Sequence, residues 1–240
     1  PRFPTPYRFE DLHLSIGECS TLYSSLLVRH LHERGFRGAV VKWGDEIMLP
    51  GADWLASNDD FSQVDAVRFA WFTPPTIDLA REKEWILADS QDGRMIFQLV
   101  RQPQEALLKC AQGRQGVCDC RLGVNLGSLA ASYPLLDMAQ EAFAVDLCDP
   151  RQRIDWDPYV WLALACSTEG EWLEEVAYER GMGISGMDQL LERMPDFYSR
   201  LAGVRDRLEK RNRRPFTVKV LDFGEVFWTD FGQHLALRQN

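Results

Sequence analysis

Apolar and polar positions along the chain alternate between a helical and a strand period. Leu22, Leu26, Leu27 and Leu31 recur at helical spacing between Glu18 and Arg34, and Gly35 follows as a stop, which predicts a helix. Ala39 to Val41 then form an apolar run that suits a buried strand better than a helix, and it breaks at Gly44-Asp45. Helix, glycine turn and strand make an αβ unit, half of a parallel crossover. Before this unit, the proline-bearing stretch Pro1 to Leu14 reads as an extended entry segment.

After the unit, Asp53 to Gln63 is polar and predicts a short helix plus loop. Val64 to Phe72, rich in β-branched and aromatic residues, predicts a strand. Glu84 to Ala88 and Arg94 to Val100 flank Asp89-Ser-Gln-Asp-Gly93, and Asp92-Gly93 between two apolar runs signals a hairpin. Pro103 ends its second strand and Gln104 to Gln112 reads as a short helix. Leu122 to Ala130 is a further strand, with Asn125 and Gly127 placed either to face a ligand or to make a bulge or turn. Pro134 to Phe143 is an amphipathic helix with its proline near the start.

The aromatics Trp156, Tyr159 and Trp161 within Ile154 to Cys166 read as core. Glu169 to Arg180 and Met187 to Lys210 are charged amphipathic helices, so 150–212 is a helical insertion in an α/β core spanning 1–240. The mixed, then basic, run 205–214 reads as a solvated helix end, with a phosphate-contacting patch as the alternative. Phe216 to His234 holds two strand-like runs around Asp222-Phe-Gly224 and reaches Asp230 just after Phe227-Trp228.

Composition narrows the class. A chain of 240 residues with 45% hydrophobic and 26% charged residues is long enough for a sizeable core. A net charge of −9 argues against general nucleic-acid binding while leaving room for one small anion pocket. No apolar run is long enough to span a membrane and no secretory signal is visible, which predicts a cytoplasmic protein. Pro1 in place of Met implies a processed chain or a piece of something longer. The six cysteines are too sparse for a disulfide framework and are expected as free thiols; Cys110 with Cys118-Asp-Cys120 fits no common zinc spacing. His30 and His32 are expected on a helix surface, and no paired-histidine metal motif occurs.

An acidic residue just past the carboxyl end of a strand, next to a glycine, suits Mg²⁺ carrying phosphates, because ligands of open α/β sheets bind at that edge. Strand–Gly–Asp is equally the ordinary end of a strand.

The order of the pieces adds a resemblance. A strand ending in Gly44-Asp45, a hairpin running into Val100-Arg-Gln-Pro103, the Val124-Asn-Leu-Gly127 strand, a following helix and the terminal Phe-Trp-Thr-Asp-Phe-Gly are similar to the sugar-phosphate nucleotidyltransferases. That family has a glycosyltransferase-A-like core. The resemblance implies a three-layer α/β fold on a mixed, mostly parallel sheet, and it implies transfer of a nucleotide from a nucleoside triphosphate to a sugar 1-phosphate. It makes Asp45 and Asp230 the Mg²⁺ ligands, Asn125 and Gly127 sugar contacts, and Gly44 part of the nucleotide-side loop. The family's Glu-Lys before the proline is Arg101-Gln102 here, so Arg101 becomes the cation facing the sugar phosphate. The family's Gly-rich phosphate loop has no counterpart in the sequence, which keeps two alternatives open: a non-catalytic sugar-nucleotide-binding or regulatory protein of the same fold, and a structural domain in which Asp45 and Asp230 are turn residues. The helical block either caps the pocket or makes a subunit contact, the latter giving a homo-oligomer.

Overall fold

A computed structural model describes residues 8–9, 12–13, 27–41, 46–49, 63–114, 119–147, 159–181, 191–192 and 194–230. Gly44, Asp45, the first part of the expected helix from Glu18, the 53–62 segment and Trp156 lie outside the described residues.

The strands are β1 (Arg8–Phe9), β2 (Leu12–His13), β3 (Gly38–Val41), β4 (Glu46–Leu49), β5 (Ala66–Phe72), β6 (Trp85–Asp89), β7 (Met95–Leu99), β8 (Cys120–Ser132), β9 (Val218–Asp222) and β10 (Phe227–Asp230). Helical residues 27–33 form α1. The later helices are α2 (Ile77–Glu82), α3 (Gln104–Arg114), α4 (Tyr133–Ala142), α5 (Ala144–Leu147), α6 (Tyr159–Ala165), α7 (Glu169–Gly181) and α8 (Phe197–Asn212).

Six strands make the main sheet, in the order β7-β6-β8-β5-β9, with β3 also on β8. The expectation of a mostly parallel sheet is corrected here. Only β5 and β9 pair in parallel, whereas β3, β5 and β6 all pair antiparallel with β8, and β6 with β7. The cause is β8 itself. It is 13 residues long, lies in the middle of the sheet and runs against β3, β5 and β6, so every neighbour it has becomes antiparallel.

One edge of β8 follows β5. The other is shared: β6 takes residues 120–124 and β3 takes residues 129–132. Between those two stretches the ladder on both edges is broken. Arg68 of β5 pairs with Leu129 and Ala70 with Asn125, so residues 126–128 of β8 face Phe69 alone. This is a bulge, and its middle residue, Gly127, has φ +76°, a conformation that glycine adopts without penalty.

Local chemistry sets the helix starts. The Thr76 hydroxyl accepts from Leu79 N at 3.3 Å and opens α2, a short helix that apolar periodicity alone did not predict. The Ser132 hydroxyl accepts from Leu135 N at 3.4 Å, so the last residue of β8 caps α4, with Pro134 in the first turn. The helices after 158 do not form a separate core. Trp161, Trp172, Phe197, Leu201 and Leu208 share one buried cluster with Trp85, Leu99 and Val124 of the sheet.

Cys120 is disulfide-bonded, which corrects the expectation of six free thiols; Cys110 and Cys166 are thiols, as expected. The Cys120 sulfur is therefore not available to a metal as a thiolate. His32 is exposed and stacks on Tyr133, with ring centroids 3.9 Å apart. In the 205–214 run, Arg205 donates to the Leu164 and Cys166 carbonyls, Arg207 to Glu141 and the Met138 carbonyl, and Arg214 to Asp65. Lys210, Arg211 and Arg213 remain at the surface. No helix among the described residues is long and apolar enough to cross a membrane.

Asp65, 1% exposed, ties the start of β5 to the chain that follows α8. Its carboxylate accepts from Arg214 Nη1 and Nη2 at 2.7 and 3.1 Å, from Asn212 Nδ2 at 2.9 Å and from Thr217 N at 2.8 Å. Removing one partner of a buried ion pair strands the other. Asp65→Ala is therefore expected to lower unfolding free energy by about 3–5 kcal/mol in urea denaturation. Glu141→Ala, which breaks the exposed pair with Arg207, is expected to cost about 1 kcal/mol or less.

Candidate functional site

Several residues that the sequence marks out gather around the break in β8. Val41, the last residue of β3, pairs with Leu129 on one side of the break, and Gly44-Asp45 follow it in the chain. On the other side, Trp85 opens β6 opposite Val124, and Asn125 N donates to the Glu84 carbonyl at 2.8 Å. The carboxyl end of β3 and the amino end of β6 thus face each other across residues 125–128.

Asn125 is 5% exposed and its side-chain amide is bonded at both ends. Its Oδ1 accepts from Arg68 Nη2 at 2.8 Å and from Gly127 N at 3.2 Å, and its Nδ2 donates to Glu84 Oε2 at 3.2 Å. The structure therefore gives Asn125 the bulge role that its sequence position allowed. Gly127 lends its N–H to the same amide. Arg101, just after β7, reaches Glu84 Oε1 with Nη2 at 3.7 Å.

Two residues at the centre of this cluster were not singled out from sequence. Arg68 is fully buried, and its guanidinium lies over the Trp161 ring of α6, 4.8 Å from the centroid. A cation on an aromatic face is held by the ring quadrupole, and more strongly when both are out of water. Glu84 joins Arg101 to Asn125. Arg68 did carry a sequence signal: a lone charge inside an apolar strand, Ala66-Val-Arg-Phe-Ala-Trp-Phe72, has solvent on neither face when the strand is central. Glu84 carried none, because glutamate before a strand is common.

Beside this network, Gln102 (1% exposed) donates from Nε2 to the Val100 carbonyl at 3.3 Å and to Glu175 Oε2 of α7 at 3.4 Å. Buried polar side chains thus line the end of β7 as well as the β8 break. An environment of this kind is costly unless paired, and it is where ligand sites are commonly built.

Asp230 ends β10. That strand leaves the main sheet and pairs antiparallel with β4, Asp230 opposite Glu46 and Phe227 opposite Leu49. Asp45 precedes Glu46 in the chain and lies outside the described residues, so the register sets Asp230 against Glu46. Glu46 is a third carboxylate at that register position and was not singled out from sequence. No cluster of three or more potential metal-ligating side chains occurs among the described residues.

No protein-family model matches the chain, and no curated protein matches it. Among solved structures it is similar to a crystal structure of mannose-1-phosphate geranyltransferase from Thermus thermophilus, with 15% identity and a TM-score of 0.37. The match covers 91% of this chain and 54% of that one, so the chain spans about half the length of that protein. A likeness this distant carries no argument about the site.

The network around Asn125 depends on one side-chain amide, and its loss is measurable. Asn125→Leu leaves Arg68, Glu84 and Gly127 N without the amide that joins them. It is expected to lower stability by about 2–3 kcal/mol, read as a drop in the denaturant midpoint with the slope unchanged.

Proposed function

We propose that the chain is a nucleotidyltransferase-like domain that binds a nucleoside triphosphate through Mg²⁺ and a sugar 1-phosphate beside it, forming an NDP-sugar and pyrophosphate. The observation that carries this reading is the β4–β10 register, which sets Asp230 opposite the residue that follows Asp45. Two carboxylates from separate strands are what a Mg²⁺ site needs, since that ion takes oxygen ligands and keeps several of its waters. The residues fit the ion chemically: Asp45, Asp230 and Glu46 supply only oxygen donors.

In this reaction a phosphate oxygen of the sugar 1-phosphate attacks the α-phosphorus, and the bond to the β-phosphate oxygen breaks. The nucleophile is already an anion, so no strong base is required. The protein's task is to align two polyanions and neutralise their charge. When bound, the metal supplies charge neutralisation and a template for the phosphates. Asp45 and Asp230 are its proposed ligands. Arg101 is the proposed cation toward the sugar phosphate, and Gly44 belongs to the nucleotide side. Asn125 and Gly127 hold the wall of the sugar side, with Glu84 fixed between Asn125 and Arg101.

A second reading has its own observation. The Asn125 amide is spent on protein partners and Arg101 is paired with Glu84. With Asn125 held by the protein and Arg101 engaged by Glu84, less is left to meet a reacting sugar phosphate, which suits a non-catalytic sugar-nucleotide-binding or regulatory protein.

Titration calorimetry with UTP, dTTP and UDP-glucose, with and without Mg²⁺, separates the readings. The catalytic reading expects Mg²⁺-dependent triphosphate binding that is lost in Asp45→Asn and Asp230→Asn, with the ligand-free melting temperature of each variant nearly unchanged, and pyrophosphate release when a sugar 1-phosphate is added. UDP-glucose binding without pyrophosphate release supports the second reading. A large loss of stability in Asp45→Asn makes that residue a structural turn and removes the metal site.

A further inference from the structure

We propose that Glu84 is an internal stand-in for a ligand's phosphate: its carboxylate pairs with Arg101, and a phosphate monoester displaces it. The inference rests on the reading of this site as one for phosphate ligands and adds to it a residue that competes with the ligand.

The two partners are held very differently. Glu84 is fixed by two hydrogen bonds from Asn125. Its Oε2 accepts from Asn125 Nδ2 at 3.2 Å, its carbonyl accepts from Asn125 N at 2.8 Å, and Asn125 is itself held by the buried Arg68 at 2.8 Å. Arg101 is held loosely. Its Nη2 is 3.7 Å from Glu84 Oε1, an ion-pair distance longer than a hydrogen bond. Its Nε is buried and has no hydrogen-bond partner among the described residues. Arg214, whose Nε likewise has no hydrogen-bond partner among the described residues, sets two other nitrogens on the Asp65 carboxylate at 2.7 and 3.1 Å, so it is the long pair with Glu84 that sets Arg101 apart.

A guanidinium has five N–H donors arranged as a rigid fork that matches phosphate geometry. On Glu84, Arg101 uses that capacity poorly, and a buried donor without an acceptor is unfavourable. The Arg101 side chain is 35% exposed, against 12% for Glu84, so the cation is the partner able to turn. Turning toward a phosphate that arrives from solvent gives it short bidentate bonds in exchange for one long pair. Glu84 therefore keeps Arg101 from being an open anion site. It also lowers affinity for any phosphate that competes with it, by pairing with the cation and by repelling the dianion.

The test is titration of the full chain with glucose 1-phosphate, UMP and inorganic phosphate, all without Mg²⁺. Glu84→Gln keeps an acceptor for Asn125 Nδ2 and removes the charge, and it is expected to bind glucose 1-phosphate roughly five- to tenfold more tightly than the wild type. Arg101→Gln is expected to lose that binding. Tightening for all three ligands identifies a general phosphate site; tightening for glucose 1-phosphate or UMP alone identifies the sugar or the nucleotide as the carrier. Equal or weaker binding by Glu84→Gln at an unchanged melting temperature overturns the proposal, and so does absence of phosphate binding in every variant.

A second readout uses the wild type alone. The Nε–H resonance of Arg101, assigned by its loss in Arg101→Gln, is expected to shift with glucose 1-phosphate and to stay in place with glucose. No shift with glucose 1-phosphate overturns the proposal even if Glu84→Gln fails to fold. Mg²⁺-dependent UTP binding through Asp45 and Asp230 is read in a separate titration, so failure of the metal site and failure of the Glu84 switch are told apart.

Discussion

A fully buried guanidinium, Arg68, sits at the point where the central strand of the sheet loses its regular pairing. A charge taken out of water is tolerated only with compensating partners, because the desolvation cost of an ion is several kcal/mol even in a relaxed protein interior. Here the compensation includes the Asn125 amide at the β8 bulge and the Trp161 face on α6, so strand and helix are held to one geometry around the cation. That requirement explains the form of β8. A regular ladder has no place for the Asn125 amide to receive Arg68 and Gly127 N together; the bulge at 126–128 provides one.

The bulge in turn organises the edges. β3 and β6 share the side of β8 opposite β5 and end opposite Leu129 and Val124, on either side of the bulge. The strand that leads to Asp45 and the residue that precedes β6, Glu84, are brought toward the same gap. The helical layer supports this arrangement: Trp161 covers Arg68, while Trp172 stacks on Phe197, 6.0 Å between centroids, in the same core.

Much of this was legible in the sequence, and for physical reasons. β5, the β6–β7 hairpin and the helix after Ser132 follow from local periodicity, turn residues and caps, which act over a few positions. Asn125 and Gly127 announced an irregularity in their strand, and the structure contains one there. Strand direction was not legible, because a buried strand shows the same apolar run whether its neighbour is parallel or antiparallel; only the placing of β8 between β6 and β5 decided it. The Arg68–Asn125–Glu84–Arg101 chain was invisible for a related reason. Its members come from separate strands and loops, and each looks ordinary in its own segment. The disulfide at Cys120 was missed because spacing does not reveal which cysteines a fold brings together. The pairing of β10 with β4, which sets Asp230 against Glu46, is likewise a long-range contact with no local signal.

The central proposal is that a metal-bound nucleotide sits where β10 pairs with β4. It is tested most directly by amide NMR of the full chain with UTP and Mn²⁺ in place of Mg²⁺, because the paramagnetic ion broadens resonances near it. The account predicts UTP-dependent broadening of Glu46, Ile47, Thr229 and Asp230, and its disappearance in Asp230→Asn. Broadening centred elsewhere, for example on the acidic hairpin turn around Asp89 and Asp92, or broadening that persists in Asp230→Asn, contradicts it.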